Sequence, residues 1–172
     1  MNRTSGNPRA LFFNEEGTMI PPFRGSGWRG CAINRDRFDH TNMPRELFEA
    51  IVHSASSPYL LLARYSPDSE GSERITPEWE AFRAHVFNAE NWALEFVLYD
   101  PTERWAILAD ADVTVFGAEP ALAAHVDQAL STHALSLARL TDRDFPDLNP
   151  MSQPGAPYLL AVSGRWPCDG KI

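Results

Sequence analysis

Residues 92–116 carry the clearest β-structure signal in the sequence. Over residues 92–99 apolar side chains fall on alternate positions, which is the period-two pattern of a strand with one buried face. The next four residues, Asp100-Pro101-Thr102-Glu103, have proline at the second position, as β-turns often do. Two further apolar runs follow, separated by Asp110-Ala111-Asp112. The sequence therefore predicts an antiparallel meander over 92–116.

Other segments add strands and helices to this meander. Short apolar runs near 59–65 and 158–163 are predicted to be strands of the same sheet. Three helices are predicted from start signals, in which a capping residue, a proline or an acid comes before an apolar face. They begin near Asn42, at Thr76 and at Glu119. Blocks of strands alternating with helices predict an α+β fold, in which about three helices pack on a mainly antiparallel sheet.

The predicted domain is preceded by an irregular segment. Proline and glycine recur every few residues over 1–42, so we expect an irregular N-terminal arm there. Residues 43–172 are then predicted to form a single domain, since the chain of 172 residues has the length of one domain. The pattern over 133–140 fits either a helix or a strand, and 141–157 is predicted to be a loop.

The charge of the chain limits its partners. The formal net charge is −8, which disfavours binding to nucleic acid or to an anionic membrane and suits a basic protein partner. Apolar runs fall well short of the ~20 residues that cross a bilayer, and the N-terminus lacks the apolar core of a signal peptide. We therefore expect a cytoplasmic protein. The basic residues are nearly all arginine, with Lys171 the only lysine, which is typical of a GC-rich bacterial genome.

The segment from Gly25 to Gly30 spells GxGxxG, the pattern of dinucleotide-binding loops. That function needs a strand before the loop and a helix opening on it, because the helix N–H groups bind the pyrophosphate. Pro21 and Pro22 come before this segment and no amphipathic helix follows it. We interpret the segment as a loop and predict that the protein binds no cofactor.

Candidate catalytic groups lack supporting context. Cys31 could act as a nucleophile with His40 as its base only if folding brings the two together. Asp110 and Asp112, with a histidine from elsewhere, could hold a metal ion, or could be solvated turn residues. Cys31 and Cys168 are simplest as free thiols, although folding could also join them. We therefore expect a protein that is not an enzyme, with a small metal-dependent enzyme or a structural subunit as alternatives.

The stretch from Arg104 to Gly117, followed by the apolar helix Leu122–Leu130, resembles the central part of some small bacterial immunity proteins. These proteins show a strand containing tryptophan, an acidic turn, an apolar strand ending in glycine, and then a helix. The resemblance implies a cytoplasmic inhibitor that binds a cognate toxin, often through acidic residues on a sheet edge or loop.

Four acidic residues at the ends of the meander strands are the predicted partner-binding residues: Asp100, Glu103, Asp110 and Asp112. Complementary charge speeds the encounter with a basic partner and favours correct orientation. The predicted partner is thus a protein, such as a basic toxin domain.

Overall fold

The computed structural model describes residues 27–34, 41–64, 71–87, 95–110, 113–149 and 156–162. Over these residues the chain forms six strands and five helices. In chain order they are β1 (Arg29–Asn34), α1 (Arg45–Ala55), β2 (Leu60–Arg64), β3 (Glu73–Ile75), α2 (Trp79–Phe87), β4 (Phe96–Tyr99), β5 (Trp105–Ala109), β6 (Val113–Ala118), α3 (Pro120–Ser131), α4 (Leu137–Asp144) and α5 (Ala156–Val162).

The strands form one sheet in the order β1-β6-β5-β4-β2-β3, and every neighbouring pair is antiparallel. The predicted meander is confirmed as β4-β5-β6, and the predicted strand near 59–65 is β2. The described part of the first meander strand begins at Phe96, so Trp92 and Leu94 lie outside the described residues. The α+β class with an antiparallel sheet is therefore confirmed.

Both faces of the sheet are buried. Directly paired residues share a face, so Leu98 and Ile107 point one way while Val97 and Leu108 point the other. The first face packs against apolar side chains of α1, α2, α3 and α4. The second face contacts residues of α5 and buries Trp28. Because neither face is left to water, β5 is a continuous apolar run with all five residues buried.

The three predicted helices are present as α1, α2 and α3. Asn42 does not cap α1, however, because Pro44 occupies the N-cap position and no side chain caps that end. Asn42 instead has a left-handed backbone (φ 61°), and its carbonyl oxygen accepts a 2.6 Å hydrogen bond from Thr114 Oγ1 in β6. This bond fixes the start of α1 against the sheet.

The predicted strand near 158–163 is wrong, because Ala156–Val162 is the helix α5. A short apolar run does not distinguish a strand from a buried helix by its period alone. Val162 is fully buried and Leu159 partly buried against the second face of the sheet. The run is therefore apolar because it covers the sheet, not because it extends it.

Part of the predicted irregular arm is a strand. Residues 29–34 form β1, which pairs with β6 along its whole length, from Arg29 opposite Ala118 to Asn34 opposite Val113. The strand has only a short apolar centre, and the glycines near it predicted an irregular segment instead. The short strand β3 is also absent from the strands that the sequence predicts.

The sequence pattern over 133–140 fitted either a helix or a strand, and the structure shows the helix α4 there. This helix continues to Asp144, inside the predicted loop 141–157. Ser136 caps it by accepting a hydrogen bond from the Arg139 amide. Leu140 and Thr141 lie on its buried side. A threonine at a core position weakened the apolar pattern, which is why the sequence did not indicate a helix there.

Gly30 lies where β1 comes closest to β6. A Cβ atom at this position would overlap the carbonyl oxygen of Phe116 and would lie 2.9 Å from the Cα atom of Gly117. These are backbone atoms of a paired strand, so they cannot move aside without disturbing the β1–β6 ladder. Glycine is therefore required here for close approach.

We expect Gly30→Ala to lower the free energy of unfolding by about 2–4 kcal/mol, through overlap with backbone atoms. Gly71→Ala is the control, because Gly71 has a positive φ of 93° but nothing within 4 Å of the added atom. It should cost about 1 kcal/mol from backbone strain alone. Urea unfolding of both variants checks this, and equal losses would contradict the observed register.

Candidate functional site

The predicted acidic residues do not form one patch. Asp100 and Glu103 lie in the turn between β4 and β5, whereas Asp110 lies at the far end of β5. A five-residue antiparallel strand spans roughly 17 Å, which separates the two ends of the meander. Asp112 lies outside the described residues. The two ends of the meander are therefore separate candidate sites.

Asp100 is a buried structural residue, with only 1% of its surface exposed. Its carboxylate accepts hydrogen bonds from Ser57 Oγ at 2.8 Å and from Thr102 Oγ1 at 2.7 and 2.8 Å. Its backbone carbonyl accepts from the Glu103 amide at 3.0 Å, which closes the predicted turn. The Asp100 side chain therefore holds the turn and is not presented to a partner.

Arg104 extends this network to the end of α1. Its Nε donates to Thr102 Oγ1 at 3.1 Å, and one terminal nitrogen donates to the Ala55 carbonyl at 3.4 Å. Ala55 is the last residue of α1, where carbonyl groups lack partners within the helix and a positive charge is favourable. The turn is thus fixed to both the sheet and the helix.

Glu103 and Glu119 together form what we call the acidic tip. Both residues are exposed, and the Glu119 amide donates to the carbonyl of Arg104, the residue after Glu103, at 2.9 Å. Sequence reasoning missed Glu119. Its position could have been inferred from the meander, because β6 runs antiparallel to β5 and ends where β5 begins, beside the β4–β5 turn. The acidic tip is therefore assembled by the strand topology.

At the opposite end of the meander, Asp110 is half-buried. Its amide donates to the Val113 carbonyl at 2.9 Å, which closes the β5–β6 turn. Within the part of the chain that the structure describes, no group of three or more His, Cys, Asp or Glu side chains lies close enough to hold a metal ion. The metal hypothesis involving Asp112 stays untested, since that residue lies outside the described ranges.

Cys31 is fully buried on the first face of the sheet. Burial raises the pKa of its thiol well above the ordinary value, and the nearby carboxylates of Asp144 and Asp127 raise it further, while Arg143 acts in the opposite direction. The thiolate is the nucleophilic form, so a buried thiol with a raised pKa is poorly reactive. His40, its predicted base, lies outside the described residues.

A cleft of about 230 Å³ lies between α3, α4 and the start of β1. Its lining is mostly small or apolar, and its charged members are Arg29 and Asp127. Asp127 Oδ1 accepts the Leu137 amide at 2.7 Å and so holds the start of α4. Through this bond Asp127 serves the packing of the two helices.

The end of the GxGxxG segment leads into the strand β1 and not into a helix. The helix N–H groups that would bind a pyrophosphate are therefore absent from the residues that follow Gly30. The described part of the segment, residues 27–30, therefore lacks the loop-to-helix junction of a dinucleotide-binding motif.

None of the described helices is long and apolar enough to cross a membrane. No protein-family model matches the chain, and no curated protein or solved structure matches it either. The resemblance to immunity proteins accordingly stays a prediction.

The role given to Asp100 predicts how the turn responds to mutation. Asp100→Ala removes both acceptor oxygens from two hydroxyl donors, and we expect it to lower the free energy of unfolding by about 3 kcal/mol. Ser57→Ala should cost about 1 kcal/mol, with a coupling of about 1 kcal/mol between the two sites in a double-mutant cycle. Denaturant unfolding of the two single variants and the double variant measures this.

Glu103→Ala, in the same turn but exposed, is the control and should change stability by less than about 0.5 kcal/mol. If Asp100→Ala proved as mild as this control, the Asp100 carboxylate would not be what holds the turn.

Proposed function

We propose that this chain is a non-enzymatic binding protein that neutralises a basic protein partner through the acidic tip. The proposed class is a bacterial immunity protein, and the proposed partner is its cognate toxin domain. The observation that carries the proposal is the acidic tip itself: the exposed Glu103 lies on a turn that Asp100 holds from within, and the exposed Glu119 lies beside that turn at the start of α3.

The acidic tip has a neighbouring basic residue, Arg104, whose guanidinium donates to Thr102 and to the Ala55 carbonyl and not to either glutamate. Within the described residues, neither Glu103 nor Glu119 forms an ion pair or accepts a side-chain hydrogen bond. Two other exposed glutamates form ion pairs with arginines on their own helices, Glu49 with Arg45 and Glu80 with Arg83. Exposed Glu78, like the acidic tip, forms none within the described residues. Two exposed carboxylates without an ion pair, on a chain of net charge −8, are suited to attract and orient a basic surface.

Glu103 also holds a backbone conformation that glutamate adopts at a cost. Its φ is 55°, in the left-handed region, which costs a non-glycine residue about 1–2 kcal/mol. Asn42, Ser56 and Ala134 also have positive φ, but each lies just before or just after a helix. Glu103 lies in a hairpin turn, where glycine would be favoured. A carboxylate kept there is consistent with a binding role, because strained residues often cluster at functional sites.

A fixed turn lowers the entropy cost of binding. The Glu103 backbone is held by the hydrogen bond that its amide donates to the Asp100 carbonyl, so little backbone freedom is lost when a partner engages this residue. Mobile charges at the surface contribute little to affinity, because ordering them opposes the attraction. The network beneath the turn therefore supports a contact site and not only a solvated surface.

Charge reversal at the acidic tip should abolish partner capture. The native host's lysate is passed at low salt over three immobilised baits: wild type, Glu103→Lys/Glu119→Lys, and Asp147→Lys. Asp147 is exposed and follows α4, so Asp147→Lys makes the same type of charge change away from the tip. We expect a basic protein on the wild-type and Asp147→Lys baits, lost by at least tenfold on the double variant and weakened by added salt.

Co-expression then tests neutralisation, since the captured protein should be toxic alone and tolerated together with the wild-type chain. A basic partner that binds all three baits equally would place the contact elsewhere. A captured protein that is harmless when expressed alone would remove the immunity class while leaving the binding role in place.

A further inference from the structure

The cleft between α3, α4 and the start of β1 contains two opposite charges that do not pair with each other. Arg29 lines it from β1 and Asp127 lines it from α3. Within the described residues neither side chain forms an ion pair. The Arg29 guanidinium donates to the Trp28 carbonyl at 3.5 Å, and Asp127 accepts the Leu137 amide with Oδ1. The guanidinium and the second carboxylate oxygen, Oδ2, are therefore available to a ligand.

The strand register places the Arg29 side chain on the same face of the sheet as the two helices. Arg29 is paired with Ala118, and Ala118 is also paired with Trp105. Directly paired residues share a face. Ala118 and Trp105 belong to the first face, which α3 and α4 cover, so the Arg29 side chain leaves the strand toward these helices. Arg29 is exposed, so it lies at the open side of the cleft.

Asp127 is held close to the same strand. The pKa of the Cys31 thiol in β1 is raised by burial, by Asp144 and also by the Asp127 carboxylate. Such an effect requires the carboxylate to lie near β1, because electrostatic interactions weaken with distance. The Leu137 amide, which donates to Oδ1 at 2.7 Å, fixes the position of this carboxylate. Asp127 is thus a positioned carboxylate on the α3 side of the cleft, with Arg29 on the β1 side.

The volume of the cleft, about 230 Å³, limits the ligand to a small molecule. A water molecule occupies about 30 Å³ in the liquid, so the cleft has room for about eight groups of that size. Apart from the two charged residues, the lining is small or apolar: Gly30, Pro120, Ala123, Ala124, Leu137 and Ala138. A matching ligand carries both charges close together and a short apolar group beside them.

We propose that this cleft binds a free α-amino acid with a small apolar side chain, such as alanine, valine or proline. The Arg29 guanidinium binds the carboxylate of the ligand, and Asp127 Oδ2 accepts a hydrogen bond from its ammonium group. Asp127 repels a simple anion and Arg29 repels a simple cation, so a ligand that carries both charges satisfies both residues. The proposal does not depend on the acidic tip.

NMR titration of the isotope-labelled chain with L-alanine, L-valine and L-proline tests this directly. We expect saturable shifts of the Gly30, Ala124 and Ala138 amides, with a dissociation constant on the order of 1 mM or tighter for at least one of the three. Propionate and ethylamine are the matched controls, because each is alanine with one charged group removed. At equal ionic strength, both should bind more weakly than alanine by about tenfold or more.

Variants locate the ligand in the cleft. Arg29→Gln and Asp127→Asn each remove one charge, and asparagine keeps an oxygen for the Leu137 amide, so the start of α4 stays in place. Each should weaken binding of the tightest amino acid by about tenfold or more. Ala124→Leu, at an exposed position that lines the cleft, fills the space and should abolish binding. Asp147→Asn removes an exposed carboxylate beyond α4 and should leave the affinity unchanged.

The proposal is overturned if none of the three amino acids gives saturable shifts of these amides at concentrations well above the expected dissociation constant. Affinity for propionate or ethylamine equal to that for alanine, unchanged binding in Ala124→Leu, or equal weakening by Asp147→Asn would also overturn it. Should Asp127→Asn fail to fold, Arg29→Gln decides, because Arg29 is exposed and its side chain bonds only the Trp28 carbonyl within the described residues. Unchanged affinity in Arg29→Gln would then contradict the proposal.

Discussion

Burial of the sheet on both faces is the constraint on which the rest of this structure depends. Because β5 is the third strand from one edge and the fourth from the other, it has neighbours on both sides and helices over both faces. Every residue of it is therefore apolar and buried. Charged groups therefore lie at the strand ends and at the sheet edge. The acidic tip lies at the strand ends, and the hydrogen bonds from β1 to Thr141 and Asp144 of α4 lie at the edge. The location of the acidic tip follows from this burial pattern.

The sequence predicted elements whose signal is local and missed those that depend on tertiary context. The meander and the first three helices have strong apolar patterns and start signals, and all of them are present in the structure. The α5 helix reads as a strand because any short run that covers a buried sheet is apolar throughout. Strand β1 and helix α4 each depend on the other, since the outward amides of β1 need Thr141 and Asp144. Neither β1 nor α4 has a local sequence pattern strong enough for it to be predicted from its own residues.

The candidate site shows the same division. The turn that contains Asp100 and Glu103 was predicted from the sequence, but whether each of these side chains faces inward or outward depends on its neighbours in space. Ser57, far away in sequence, turns Asp100 into an internal acceptor. Glu119 joins Glu103 only because β6 returns to the end of the sheet where β5 begins. The sequence alone could not distinguish a buried structural carboxylate, such as that of Asp100, from an exposed one, such as that of Glu103.

Glu103→Gly tests most directly the central claim that a strained carboxylate is kept in the turn for binding. Glycine relieves the left-handed backbone at this position (φ 55°), so the free energy of unfolding should stay the same or rise by up to about 1 kcal/mol. Binding to the partner captured by the wild-type chain, measured by calorimetry at low salt, should weaken at least tenfold. A variant that binds as tightly as the wild type would contradict the account, whatever its stability.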